Sequence, residues 1–147
     1  MNKYNMSADE CLTMLNKKSG VLALSDGVSS DFRDLGRGCR TRATRPAQLA
    51  LDKFAYEVRK YIGAYAAALG GVDCLVFTAG VGENSGSRCA PSICDGLEYL
   101  GVKLDAEKNK LRGEEAIIST PDSTVTVWVI PTNEELMIAQ DTAALTK

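Results

Sequence analysis

Three short segments carry residue types that could handle an anionic ligand. The first, Phe77-Thr78-Ala79-Gly80-Val81-Gly82-Glu83-Asn84-Ser85, places two glycines with one residue between them shortly after an apolar run. Glycines there permit a tight turn and close approach of backbone to a ligand, and free N–H groups at a following helix start attract anions. The segment is no Walker loop, since no Gly-Lys-Ser/Thr follows, and Ser85 stands where the Rossmann fingerprint needs its third glycine. Taken alone it is either a nucleotide or phosphate loop or a plain glycine-rich turn. The second segment is Val129-Ile130-Pro131-Thr132-Asn133-Glu134-Glu135. Thr132 or Asn133 can cap a helix whose first turn holds two glutamates, an arrangement that suits the helix dipole without any ligand. The other reading is that one carboxylate coordinates a hard cation, which takes one or two carboxylates plus phosphate oxygens and water. The third segment is Ser29-Ser30-Asp31-Phe32-Arg33-Asp34. Arg33 could contact a phosphate and Phe32 could pack on a purine, or the stretch is a serine-capped turn with a local Asp/Arg pair.

Other chemistries are excluded by what the chain lacks. It has no histidine, so Ser-His-Asp triads, Cys-His pairs and imidazole-ligated zinc are impossible within it. Its five cysteines (Cys11, Cys39, Cys74, Cys89, Cys94) form no Cys-x-x-Cys pair. Structural thiols of a reducing compartment are expected, with Cys74 a small buried hydrophobe inside its apolar run. The stretch from Gly36 to Arg45 holds four arginines and no acid, but no aromatics interleave with them. With a net charge of −2 over the whole chain, a mobile solvated loop is expected there rather than a nucleic-acid patch. No apolar run approaches the ~20 residues that span a bilayer, and the first residues lack a secretory pattern. A cytoplasmic protein without nucleic-acid or membrane partners is the expectation.

The elements that must position the three segments are readable from periodicity. The 147 residues, 45% of them hydrophobic and 24% charged, have the profile of one globular domain. Ser7 to Leu15 reads as a short helix with Ser7 and Glu10 spaced as a capping box, stopped by Gly20. Val21 to Leu24 is too short to assign, and Ser25 to Ser30 reads as a turn. Pro46 to Leu69 is the strongest helix, with Leu51, Phe54, Ala55, Val58, Tyr61, Ile62, Tyr65, Ala68 and Leu69 on one stripe taken as its core face. Gly63 within it costs ~1 kcal/mol relative to alanine, which marks a close packing contact. Cys74 to Thr78 reads as a fully buried strand of a parallel sheet. A helix is expected from about Ala90 to Leu100, and strands at Val102–Leu104, Ala116–Ser119 and Val125–Ile130. A last helix holds Leu136, Met137, Ala139 and Ala143. This order defines an α/β layered fold with some parallel strands, and α/β folds place ligands at the carboxyl ends of strands.

Taken together, the segments resemble the C-terminal portion of acetate kinase, of the actin-like ATPase superfamily. The matching stretches are Leu15-Asn16-Lys17-Lys18-Ser19-Gly20, Val28 to Arg33, Lys60-Tyr61-Ile62-Gly63-Ala64-Tyr65, Val76 to Ser85, and Ile130 to Leu136. They stand in the family's order across nearly the whole chain, with a gap at Gly36 to Arg45.

The resemblance implies a partial actin-like ATPase (ribonuclease H-like) domain, one C-terminal domain over residues 1–147, with a mixed sheet flanked by helices. It implies an ATP/ADP site drawing on Asp31, Phe32, Arg33, Gly80, Val81, Gly82, Glu83 and Asn84, and a Mg²⁺ ligand in Glu134. The implied reaction is reversible phosphoryl transfer between ATP and acetate, giving acetyl phosphate and ADP. Such transfer rests on in-line positioning and charge neutralisation. The family's acetate-site aspartate, histidine and arginines lie before the first matching stretch. No catalytic residue is therefore assigned here, and the chain is expected to be inactive alone. A homodimer is implied. Alternatives are a propionate or butyrate kinase portion, or a non-catalytic nucleotide-binding or dimerisation module.

Overall fold

The computed structural model describes residues 2–38, 44–84 and 89–146, without the side chains of residues 2, 37, 38, 44 and 84. Residues 39–43, the centre of the arginine-rich stretch expected to be a solvated loop, lie outside the described residues. The chain forms two compact units, Met1–Ala64 and Tyr65–Lys147.

The first unit is helical. Helix α1 (Ala8–Lys17) starts with the expected capping box: the Glu10 amide donates to Ser7 Oγ, and Glu10 Oε2 accepts from the Ser7 amide at 2.8 Å. Gly20 does not stop this helix. The chain leaves it at Lys18, and Gly20, at φ +62°, opens a second short helix, α2 (Gly20–Leu24), built from the apolar run left unassigned. The turn from Ser25 to Ser30 is present, and buried Ser25 places its hydroxyl 2.9 Å from the Leu22 carbonyl. Helix α3 (Phe32–Gly38) follows, then α4 (Thr44–Leu69). Leu35, Ala47 and Ala50 form this unit's buried cluster, with Val21 and Leu51 packed against it.

Helix α4 meets the stripe expected from periodicity only in part: Ala55 is buried and Leu51, Phe54, Val58 and Ile62 are half-buried, but the stripe fails toward the helix's C-terminal end. Its buried residues are Ala47, Ala50, Ala55 and Ala66, whereas Tyr61 and Tyr65 are more than 60% exposed and Leu69 is 77% exposed. Periodicity counts apolar residues without regard to size. Nor does it register whether another element packs against them: Ala64, Ala67 and Ala68 are exposed together with Tyr61, Tyr65 and Leu69, so among the described residues the C-terminal part of the helix leaves its apolar residues largely uncovered.

The second unit holds a mixed three-stranded sheet in the order β1-β3-β2. Strand β1 (Cys74–Phe77) runs parallel to β3 (Thr126–Val129), and β2 (Ala116–Ile117) pairs antiparallel to β3. Val102 and Leu104 make single bridges to Val125 and Ser119 rather than a strand of their own. The expected alternation holds in β3, with Val125, Val127 and Val129 buried. Buried residues of the same unit include Ala90, Ile93 and Cys94 of α6 (Cys89–Cys94), together with Leu97, Val102 and Ile118. Helix α6 ends short of Leu100. Gly96 adopts φ +85°, and Glu98–Leu100 forms a separate 3-10 turn.

Strand β1 is not buried on both faces. Cys74 is exposed and Val76 is 52% exposed, while Phe77 is buried. An apolar run of this length fits a strand covered on either one or two faces, and among the described residues β1 is buried on one. Helix α7 (Glu134–Leu145) buries none of its residues, with Leu136, Met137 and Ile138 at least half exposed. Among the described residues no helix is long and apolar enough to cross a membrane.

Candidate functional site

The register of the parallel pair places the site. Phe77 lies opposite Val129, so β1 and β3 end side by side and the chain after each emerges at the same end of the sheet. The ladder closes with the Ile130 amide donating to the Phe77 carbonyl at 2.9 Å. Beyond it, side chains hold the two junctions together. Thr132 Oγ1 accepts from the Ala79 amide at 3.1 Å and lies 3.2 Å from Thr78 Oγ1. In the opposite direction, the Thr132 amide donates to Glu83 Oε2 at 2.8 Å. Ala79 holds a left-handed backbone, φ +57°, and starts a short helix α5 (Ala79–Asn84).

The joined turns enclose an open hollow of about 470 Å³ lined by Ala79, Gly80, Glu83, Thr132, Asn133, Glu134 and Glu135. Gly80 and Glu134, from different strand tips, therefore face one space. The two glycines of the first segment differ sharply. A Cβ on Gly80 meets nothing within 4 Å among the described residues, so none of them requires glycine there and backbone is left bare to the hollow. A Cβ on Gly82 lies 3.0 Å from the Phe77 carbonyl carbon, and Gly82 is buried. Gly82 serves the packing of α5 on the end of β1, and Val81 is half-buried beside it. Neither lines the hollow. The Asn84 side chain lies outside the description.

At the second junction the cap is Asn133, whose Oδ1 accepts from the Leu136 amide at 3.1 Å. Thr132 is used instead to join the turns. Among the described residues the Glu134 and Glu135 carboxylates have no hydrogen-bond or ion-pair partner. The described lining offers three carboxylates and no basic side chain, so a bare anion is repelled. Phosphates suit this surface when a cation neutralises the contact. Glu134 and Glu135 fit Mg²⁺, which needs few protein carboxylates when phosphate oxygens and water complete its shell. No group of three or more His, Cys, Asp or Glu side chains gathers as a closed metal site among the described residues.

Asp31, Phe32 and Arg33 lie in the first unit, away in sequence from the joined turns. Asp31 Oδ1 accepts from the Arg33 amide at 2.7 Å, and its carboxylate pairs with the Arg33 guanidinium at 2.6 Å. The side-chain bond to Arg33, aided by the backbone bond, pulls the Asp31 carboxyl down to about 2, and the carboxylate raises Arg33 in turn. The Phe32 ring packs edge-on against Phe54, centroids 4.7 Å apart. The local turn with an Asp/Arg pair is thus present, and Phe32 contributes packing. The sequence reading missed the partnership of Thr78 and Thr132. A threonine just past the end of each parallel strand was the available signal.

Comparisons with known proteins agree with this architecture. The Acetokinase family model matches residues 1–140. The acetate kinase of Thermoanaerobacterium thermosaccharolyticum is 63% identical over 142 residues, covering 97% of this chain and 35% of that protein. The crystal structure of Porphyromonas gingivalis acetate kinase superposes with TM-score 0.89 at 45% identity, over all of this chain and 36% of that one. A propionate kinase structure from Francisella tularensis gives TM-score 0.80 at 35% identity, over 95% of this chain and 34% of that one. The fold is α/β and of the actin-like ATPase type. The chain belongs to the acetokinase family, and it spans about a third of the length of the relatives it matches.

Proposed function

We propose that this chain carries part of the ATP/Mg²⁺ site of an acetate kinase, which transfers a phosphoryl group reversibly between ATP and acetate. The observation that carries the reading is the shared hollow, with the bare backbone of Gly80 on one side and the free carboxylate of Glu134 on the other. Gly80 admits the nucleotide close to the main chain. Glu134, with Glu135 beside it, holds Mg²⁺, and the ion neutralises phosphate charge where the protein's own lining is acidic. Gly82 and Val81 support this wall from behind, and Asn84 belongs to the same segment. For Asp31, Phe32 and Arg33 the assignment to the nucleotide rests on the family alone.

The acetate pocket and catalytic groups belong to the family's remaining two thirds, so the 147-residue chain by itself shows no acetate-dependent turnover. A homodimeric, cytoplasmic enzyme is the reading for the whole protein. The likeness to a propionate kinase supports a second reading, a kinase of another short-chain carboxylate, because the same fold occurs under both names, with the nearer likeness to the acetate kinase structure. The test is calorimetry with MgADP on the chain and on Gly80→Ala and Glu134→Ala. Glu134→Ala weakens binding about tenfold, the scale of losing one contact to a charged group, and Gly80→Ala weakens it without loss of folding. Equal heats for all three remove both residues from the site.

A further inference from the structure

Resting on that nucleotide reading, we propose that Glu83 is a positioning residue rather than a nucleotide or metal ligand. With Thr132 it forms a reciprocal clasp that holds the Gly80 turn and the Glu134 turn at a fixed separation. The sheet cannot set this spacing, because its last backbone bond joins Ile130 to Phe77 and the ladder ends there. Past that point the two turns are joined in both directions. Glu83, on the helix after β1, accepts the backbone N–H of Thr132, and the Thr132 hydroxyl accepts the backbone N–H of Ala79.

Each partner thus satisfies a main-chain donor of the other's turn. Thr132 stands one residue from Asn133, whose side chain caps α7, and two from Glu134. Ala79 adjoins Gly80, and its left-handed backbone is held at its own N–H. A shift in the clasp therefore moves both walls of the hollow. A carboxylate accepting a backbone N–H makes a charge-assisted bond, stronger than a neutral pair. This bond fixes the Glu83 carboxylate through Oε2.

The test separates an acceptor's role from a charge's role. Glutamine at 83 can still accept the Thr132 amide but carries no charge, whereas alanine can do neither. MgADP affinity by calorimetry and exchange of the Thr132 amide by NMR are measured on the chain and on Glu83→Gln, Glu83→Ala, Thr132→Val and the Glu83→Ala/Thr132→Val double variant. We expect Glu83→Gln to stay within about twofold in affinity and Glu83→Ala to lose about tenfold, with faster Thr132 exchange. The double variant binds no more weakly than about the worse single one, since both remove the same clasp. If Glu83→Gln falls as far as Glu83→Ala while its Thr132 amide stays as protected as in the parent chain, the charge itself is used by the ligand and the proposal is overturned. Thr132 exchange unchanged in Glu83→Ala overturns it as well. Should the unaltered chain take up no MgADP while Glu83→Ala still frees the Thr132 amide, the nucleotide reading falls, and the role of Glu83 in holding the two turns together stands.

Discussion

Gly80 and Gly82 stand two residues apart on the same short helix, yet alanine should act on them in opposite directions. Both adopt ordinary negative φ, so neither substitution is strained by the backbone itself. At Gly80 the new methyl enters open space, with no heavy atom of the described residues within 4 Å. Removing glycine's freedom in the unfolded chain then stabilises by about 0.4–1 kcal/mol. At Gly82 the methyl lands 3.0 Å from the carbonyl carbon and 3.3 Å from the Cα of Phe77. Carbon atoms prefer about 3.5–4.0 Å, so the neighbour must yield by several tenths of an ångström. That neighbour is main chain, fixed by the ladder bond between Phe77 and Ile130, and cannot rotate aside as a side chain would. Overpacking of this kind costs about 1–3 kcal/mol, against which the same entropic gain offsets less than 1. Gly82→Ala should therefore unfold at lower urea than the parent chain, and Gly80→Ala at equal or higher urea. The two midpoints, with m-values compared to exclude a change in the transition itself, are the assay. Equal stability of the two variants refutes the division of labour between a glycine kept for a ligand and a glycine kept for packing.

Two further outcomes follow from local geometry and charge. A Cβ on Gly101 would overlap Thr124 Oγ1, on a backbone at φ +90°. Gly101→Ala should cost about 2 kcal/mol or more, and a urea melt no different from the parent's counts against it. The Asp31 carboxyl is held at about 2, below its ordinary 3.8, so its pairing with Arg33 supports the folded state above the ordinary value. That support is lost as pH falls from near 3.8 toward about 2, because the unfolded chain takes up the proton first. An NMR titration of the Arg33 amide should place its midpoint near 2, and a midpoint at the ordinary aspartate value rejects the pairing.

Much of this chain was legible residue by residue where the cause is local. Ser7 and Glu10 announced their capping box, because its hydrogen bonds span three residues and need no tertiary partner. The alternation of Val125, Val127 and Val129 marked β3, and the run of motifs identified the family. Only the tertiary structure decided which residues occupy which surface. Tyr61, Tyr65 and Leu69 of α4 came to the surface, as did Cys74, and of two glycines equivalent as letters Gly82 packs on Phe77 while Gly80 has open space beside it. The physical reason is that burial and contact depend on what arrives from elsewhere in the chain. Phe77 lies five residues before Gly82, but its fixed position comes from pairing with Val129, and Glu83 finds its partner in Thr132 only because β1 and β3 run parallel and end together.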